Sequence, residues 1–254
     1  MLKGMYISAN AALSQGERYD ILANNLANVN TTGFKPQRPQ FSEVLAQIVG
    51  RDTTTKRIES YAGATLSGAG DVFVPGVIEH TENMFDVAII DEGLFAVERD
   101  GKFYYTRAGA FHVAADGYLV AADGKSRVLL ENGVPIVIGN SEFEVDGRGF
   151  VTLVNAENER QPLGNLWVVR PRQGNYGLLA RRGDNLWSAP SSVMERVEDV
   201  KVSQGAIEKS AVSAVEEMTS LISAMRAYEA AMRFVKIQDE ALGLAVSELA
   251  RPLG

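Results

Sequence analysis

The chain contains no cysteine and only two histidines among its 254 residues. The missing cysteines exclude disulfides, thiolate nucleophiles and zinc–thiolate sites, and their absence suits an exported protein that must avoid oxidation. His80 and His112 do not lie at metal-ligand spacing from each other or from a carboxylate. His112 falls in a strand-like run and is expected to be a packed or surface residue. We therefore predict no metal site and no catalytic histidine.

Long apolar runs and an excess of positive charge are also missing. No uncharged apolar run approaches the roughly 18 residues that a membrane helix needs, so the chain is not expected to span a membrane. The net charge of −7 and the pI near 5.0 argue against nucleic-acid binding, because no basic patch is available for phosphates. Residues 1–29 are interrupted by Glu17, Arg18 and Asp20, unlike a secretory signal peptide. We expect a protein that stays inside the cell or leaves it without a cleaved signal.

Further catalytic patterns are weak. No glycine-rich phosphate loop of the P-loop or dinucleotide type occurs, and we predict no cofactor. Asp-Gly pairs recur, but no Asp-x-Asp-x-Asp ladder accompanies them, so they indicate turns rather than calcium loops. Asp86 and Asp91 flank a predicted strand, and an acid–base pair is the less favoured interpretation of them.

Residues 210–249 carry a long amphipathic helix pattern with apolar residues at alternating spacings of four and three. Ser213 and Glu216 form a capping box that predicts where the helix begins. Phe234, Ile237 and Leu244 extend the apolar surface beyond a single stripe. A helix that is apolar over more than half its circumference needs several neighbours, more than one short chain supplies. Ten of the eleven stripe positions are apolar, with Asp239 the exception: Ala214, Met218, Leu221, Met225, Tyr228, Met232, Val235, Asp239, Leu242, Val246 and Leu249.

Residues 2–26 carry a second amphipathic helix pattern, with small residues at the centre of its stripe. Small residues allow close helix approach but bury little area, so a free monomer would not hold this helix. An ordinary core-facing helix is the alternative, yet the position of both patterns at the chain ends favours a helix pair. The stripe is Leu2, Met5, Ala9, Ala12, Gly16, Tyr19, Ala23 and Leu26, widened by Tyr6 and Leu13.

Between the two helices the apolar period changes to two, which is typical of strands. Short strand-like runs alternate with Asp-Gly and Asn-Gly pairs, such as Asp100-Gly101 and Asp116-Gly117, which are strong hairpin signals. We predict an α+β fold in which long terminal helices form a coiled-coil pair around a central antiparallel β domain, a sandwich or partly open barrel. The expected divisions are helix 1–34, extended connector 35–80, β domain 81–187, return segment 188–209 and helix 210–254.

The segment in which the first helix ends, Ala23 to Lys35 (ANNLANVNTTGFK), resembles the N-terminal signature of bacterial flagellar basal-body rod and hook proteins. Further stretches agree, in the expected order: residues 85–89 (FDVAI), 93–97 (GLFAV), 105–109 (YTRAG) and 216–229 (EEMTSLISAMRAYE). The length resembles the proximal and distal rod members more than the hook protein, with a slight lean to the proximal one. The family-motif residues are Asn24, Asn25, Leu26, Ala27, Asn28, Thr32, Gly33 and Phe34.

This resemblance implies a structural subunit of the flagellar rod, the periplasmic shaft that transmits torque from the motor to the hook. It also implies export through the flagellar type III apparatus without a cleaved signal. The implied partners are other copies, homologous rod subunits and hook proteins, in a helical assembly through the terminal helices. The predicted subunit-interface residues are Leu2, Met5, Ala9, Ala12, Leu13, Tyr19, Leu26, Met218, Leu221, Met225, Tyr228, Met232, Val235 and Leu242.

Two other functions stay open from the sequence alone. One is an exported enzyme that acts on peptidoglycan, although the chain offers no clear acid–base pair for it. The other is a binding module whose β domain recognises a ligand, with the helices as an oligomeric stalk.

Overall fold

A computed structural model describes residues 2–49, 58–139 and 141–249. The chain divides into two compact units, and each unit is assembled from separate parts of the sequence. Unit 1 comprises residues 1–27, 37–70 and 213–254, and unit 2 comprises residues 28–36 and 71–212. The chain therefore passes from one unit to the other four times.

Unit 1 contains the two helices, α1 (Leu2–Ala27) and α2 (Ala214–Leu249). A β-carbon placed on Gly4 would lie 2.9 Å from Gln238 Nε2, and one on Gly16 would lie 3.8 Å from the Tyr228 ring. Because the α2 partner moves towards the N-terminus as the α1 residue number rises, the two helices pack antiparallel. The start of α2 at Ala214 leaves Ser213 at the N-cap position expected for it.

Unit 1 also contains almost all of two long strands, β1 (Gln37–Val49) and β2 (Ile58–Asp71), which pair with each other. They lie in the segment for which the sequence predicts an extended connector.

Unit 2 is built from antiparallel strands joined by tight turns. Strands β5 and β6 pair directly, and Asp100 and Gly101 between them have φ angles of 53° and 71°. Two successive positive φ values define the turn that matches the twist of a hairpin, as the Asp-Gly pair predicts. The strands are β3 (Ile78–His80), β4 (Val87–Ile89), β5 (Leu94–Arg99), β6 (Lys102–Thr106), β7 (His112–Val113), β8 (Leu119–Val120), β9 (Arg127–Val128), β10 (Glu142–Val145), β11 (Phe150–Val154), β12 (Arg160–Asn165), β13 (Val168–Pro171), β14 (Ala180–Arg181), β15 (Trp187–Ser188), β16 (Met194–Arg196), β17 (Val202–Gln204) and β18 (Ala206–Glu208).

The strands of unit 2 form several sheets rather than one. A nine-stranded sheet runs in the order β14-β15-β6-β5-β9-β8-β7, and β13 joins it by pairing with β5 and β16. A three-stranded sheet (β10-β11-β12) and the pairs β17-β4 and β18-β3 complete the unit. The α+β class and the antiparallel arrangement are confirmed, and the described strands form no closed barrel.

The core of unit 2 lies between these sheets. It is lined by alternate residues of the strands, with Phe95, Phe143 and Leu119 almost fully buried. A second cluster packs around Trp187, whose indole N–H donates to Asp71 Oδ2 at 2.8 Å. Residues 134–138 form only isolated bridges, from Pro135 to Leu129 and from Val137 to Tyr118.

Candidate functional site

One side of α2 faces α1, and it is not the whole of the stripe read from the sequence. The least exposed residues lie on one side of the helix and are mostly three, four or seven positions apart: Glu217, Ser220, Leu221, Ala224, Ala231, Val235, Gln238 and Leu242. Leu221, Val235 and Leu242 belong to the predicted interface set and are half-buried within the chain itself. In contrast, Met218, Met225 and Met232 are 52%, 50% and 44% exposed. These three methionines, at intervals of seven residues, form what we term the methionine stripe.

The α1 residues of the predicted interface divide in the same way. Ala12 is buried, and Met5, Ala9 and Leu26 are half-buried. Leu13 and Tyr19 are exposed, so they do not pack fully inside unit 1. The side chain of Leu2 lies outside the described part of the chain. Leu22, which the three-four stripe omitted, is almost completely buried.

Within unit 1 the family-motif residue Asn25 fixes the start of β1. Its side chain is completely buried, donates from Nδ2 to the Gln37 carbonyl at 2.8 Å, and accepts from the Gln37 N–H at 2.9 Å. This amide imitates a backbone ladder, which satisfies both of its polar ends and both backbone groups of Gln37. Asn24 and Ala27 are exposed and Leu26 is half-buried on the same helix.

Within unit 2 the rest of the motif forms a turn whose backbone packs closely against the backbone of Arg107. Gly33 has φ +63°, and a β-carbon there would lie 2.5 Å from the Arg107 carbonyl carbon. The Gly33 N–H donates to the Glu208 carbonyl at 2.7 Å, and Phe34 is buried with the Arg181 guanidinium 4.8 Å above its ring. Only glycine satisfies both the positive φ and the close approach. Of the other motif positions, Asn28 lies beside Thr31, and the Thr32 carbonyl accepts from Asn185.

Next to the Gly33 turn lies a buried ionic cluster of Lys35, Arg107 and Glu208, which we term the Glu208 cluster. The Glu208 carboxylate, 2% exposed, accepts from Lys35 Nζ at 2.5 Å and from Arg107 Nε at 2.5 Å. The Gly76 N–H donates to the same carboxylate at 2.8 Å. Three segments that are distant in sequence therefore converge on one side chain.

The two cations of the cluster use their remaining donors on backbone carbonyls. Arg107 donates to Gly93 O at 2.6 Å and to Ile89 O and Asp91 O at 2.8 Å each. Lys35 Nζ also donates to Val74 O at 2.6 Å. A guanidinium with this number of partners ties the strand ends around it together, because its planar fork is already oriented for several acceptors.

The pKa directions agree with a site that depends on both signs of charge. Burial acts to raise the pKa of the Glu208 carboxyl, but the Arg107 charge and the Lys35 hydrogen bond outweigh burial and hold that pKa below its usual range. For Lys35, burial is the larger effect and lowers the pKa of the ammonium despite the hydrogen bond from it to Glu208. Removal of the carboxylate would therefore leave two buried cations without compensation.

The geometry of the described residues offers no arrangement for metal binding: none of their histidine or carboxylate side chains forms a group of three that could hold an ion. A cavity of about 300 Å³ borders Lys35 and Arg107, and the stacked rings of Phe73 and Tyr176 form part of its wall. Arg107 and Lys35 are both held by Glu208 and by carbonyls, so they act as structural ties.

Comparisons with known proteins match the chain along most of its length. Residues 5–35 match the family model described as flagella basal body rod protein, residues 88–153 the flagellar hook protein FlgE/F/G D1 domain, and residues 203–248 the flagellar basal body rod FlgEFG protein C-terminal model. The flagellar basal-body rod protein FlgG of Agrobacterium fabrum is 32% identical over 98% of this chain and 100% of the relative. The chain belongs to the flagellar basal-body rod protein family.

Other relatives agree with this membership. The rod protein FlgF of Caulobacter vibrioides is 28% identical over 99% of both chains, and FlgG of Bacillus subtilis is 28% identical over 95% of this chain and 97% of the relative. This rod protein is a structural subunit of the flagellar basal body and not an enzyme, which removes the peptidoglycan-enzyme alternative. Neither described helix of this family member is long and apolar enough to cross a membrane.

The sequence patterns did not predict the Glu208 cluster. Lys35 and Arg107 do lie within two of the stretches that resemble the rod family, residues 23–35 and 105–109. Glu208 carries no local signal, since a single glutamate is most often a solvated surface residue. Its role is defined by the two cations that the fold brings to it.

Proposed function

We propose that this rod subunit polymerises helically through the outward apolar faces of α1 and α2, which pack within each copy as a coiled-coil pair. The polymer acts as a stiff shaft that transmits torque from the motor to the hook. Its other contacts are with homologous rod subunits and hook proteins. The subunit reaches its periplasmic position through the flagellar type III export apparatus, without cleavage of a signal.

The observation that carries this proposal is the methionine stripe. Other residues of α2 already form the contact with α1 inside one chain. Met218, Met225 and Met232 lie on the neighbouring side of α2 and stay about half exposed. Contiguous exposed apolar surface on a protein marks an interaction site. Unbranched methionine side chains adapt to irregular neighbours, as an interface repeated between copies requires.

A single charge tests the stripe. We expect Met225→Asp to abolish rod assembly, because each interface in the polymer would bury an unpaired carboxylate at a cost of several kcal/mol. The measurement is electron microscopy of basal bodies from the bacterium that expresses only the variant, together with motility on soft agar.

Ser247→Asp is the matched control, since it adds the same charge to an exposed position near the end of the same helix. We expect this control to assemble. Normal rods and motility in the Met225→Asp strain would contradict the proposal, and circular dichroism of both purified variants verifies that the β unit is retained.

A further inference from the structure

The C-terminal half of α2 carries a second apolar seam that unit 1 does not cover. Its members repeat at spacings of three and four, and every one of them is exposed. At about 100° per residue the second seam lies roughly 120° around the helix from the face that packs on α1. A strict three-four repeat on an uncovered face is the pattern that receives another helix. The second seam consists of Ala227, Ala230, Phe234, Ile237, Ala241 and Leu244.

The second seam has a defined shape. A groove of about 400 Å³ lies along it and is lined by Ala230, Phe234 and Ile237. Arg226, Arg233 and Glu229 line the same groove, so two guanidinium groups and one carboxylate border it. An apolar groove in which the two guanidinium groups outnumber the carboxylate suits an apolar or aromatic side chain accompanied by acidic ones.

Unit 1 carries a matching ridge on α1. Tyr6 and Leu13 are 69% and 66% exposed and are seven residues apart, so they point from the same side of the helix. Glu17 and Asp20 follow on the exposed surface of the same helix. The ridge is thus apolar in its first half and acidic in its second.

We propose that the α1 ridge of one copy packs into the second seam of α2 in a second copy. This inference rests on the proposed function, since it names the surfaces through which the polymer grows. Copies in a polar helical assembly all point the same way, so α1 of one copy runs antiparallel to α2 of its neighbour. The chain's own helices are also antiparallel, with Gly4 near Gln238 and Gly16 near Tyr228.

The register of the chain's own pair, applied between copies, brings compatible side chains together. Tyr6 falls opposite Ile237, Leu13 opposite the small Ala230, and Glu17 opposite Arg226. The Tyr6 ring then contacts apolar side chains and a guanidinium group of the groove. The face of an aromatic ring attracts such a cation. Apolar residues therefore meet apolar residues along the ridge, and the acidic half meets a guanidinium.

The two surfaces are different, and this has a consequence for the assembly. When copy A offers its ridge to copy B, the seam of copy A and the ridge of copy B stay available. Contacts of this heterologous kind add copies without limit unless the ring closes. The arrangement predicts an open-ended polymer rather than a symmetric dimer.

The absence of cysteine in the chain makes disulfide mapping a direct test. We expect the double variant Tyr6→Cys/Ile237→Cys, oxidised in isolated basal bodies, to give a ladder of covalent dimers, trimers and higher species on a non-reducing gel. The matched control is Gly4→Cys/Gln238→Cys, which places the two thiols in the seam within one chain. It should give an oxidised monomer that migrates faster, and no ladder.

The outcomes separate this inference from the proposed function. Rods that contain the double variant without a ladder would overturn the ridge-in-seam contact and leave polymerisation intact. If the chain with its natural sequence forms no rods at all, the proposed function itself fails. Covalent monomers from the Tyr6→Cys/Ile237→Cys variant would show that the two positions meet within one chain and would equally overturn the contact.

Charge reversal gives a second measurement should the double cysteine variant not assemble. We expect Glu17→Arg and Arg226→Glu each to reduce motility at least tenfold, measured as swarm expansion, and the two together to restore it. Restoration supports the contact, because neither single variant should be rescued by the other unless their side chains meet. A double variant as defective as the singles would overturn it.

Discussion

Lys35 Nζ lies 2.5 Å from Glu208 Oε1, although 173 residues separate the two along the chain. Both residues belong to unit 2: Lys35 lies just before the chain leaves that unit for β1, and Glu208 lies shortly before it leaves for α2. Backbone hydrogen bonds join the same two segments: the Gly33 N–H donates to the Glu208 carbonyl, and the Ala211 N–H donates to the Phe34 carbonyl. The ends of the two connecting segments in unit 2 are therefore held together by one ion pair and by backbone hydrogen bonds.

Glu208→Gln should destabilise unit 2 by about 3–5 kcal/mol, because it leaves two buried cations without a compensating charge. Urea denaturation followed by tryptophan fluorescence measures this, since Trp187 lies in the unit 2 core. Glu79→Gln is the matched control: the Glu79–Lys209 pair has the same charges at 2.7 Å but is half exposed. We expect the control to change the free energy of unfolding by less than about 1 kcal/mol. Equal effects of the two changes would show that burial of the cluster adds nothing.

The stability of unit 2 should fall in acid. The pKa of Glu208 is lower in the folded protein than the ordinary 4.5, so the unfolded chain takes up the proton more readily. The stabilisation from this group is complete above pH 4.5 and is lost as the pH falls through the folded value. The pKa of Asp123 is also lowered, because hydrogen bonds from Ser126 outweigh its burial, and it acts in the same direction. The free energy of unfolding should therefore decline as the pH is lowered from about 6 to about 3.

The variant Glu208→Gln provides the comparison for that pH series. It lacks the titrating carboxyl, so its unfolding free energy should depend less steeply on pH than that of the unaltered chain. The same slope in both proteins would mean that other carboxylates account for the acid sensitivity.

Gly33→Ala should cost more than about 2 kcal/mol, since a β-carbon would meet the Arg107 backbone and the residue would keep a positive φ. Thermal unfolding followed by circular dichroism measures the loss. Gly147→Ala is a suitable reference, because no atom lies within 4 Å of a β-carbon built there. We expect that reference to stay within about 0.5 kcal/mol of the unaltered protein.

Asn25→Ala should destabilise the junction between α1 and β1 in unit 1 by about 2 kcal/mol, because two buried backbone groups of Gln37 lose their partners. Hydrogen exchange at the amide of Gln37 is the direct measurement, and its protection should disappear. Asn30→Ala, at an exposed position, should leave the exchange of Gln37 unchanged. Persistent protection in Asn25→Ala would show that the side chain does not hold this strand start.

Local features were predictable from the sequence because their causes are local. The three-four spacing of apolar residues predicted both helices, and the capping box at Ser213 located the start of α2. The Asp100-Gly101 pair predicted a hairpin, and its positive φ values bear this out. Short strands such as β16 and β18 escaped prediction, since two or three residues are too few to show a period of two.

Which side of α2 faces α1 was decided by tertiary structure. The sequence shows apolar residues over most of the circumference, so several stripes are possible, and periodicity alone does not rank them. Contact with α1 selects the side that includes the small Ala224 and Ala231, because small side chains let the helices approach closely. This choice leaves the methionine stripe and the second seam exposed.

The sequence by itself determined the two terminal helices, the antiparallel β region between them and membership of the rod family, since all three depend on spacings and motifs within short stretches. Only the tertiary structure decided that Lys35, Arg107 and Glu208 form one buried cluster and which helix faces remain uncovered. The physical reason is that charge compensation and burial depend on distances in space, and these distances join residues between which the sequence shows no periodic relation.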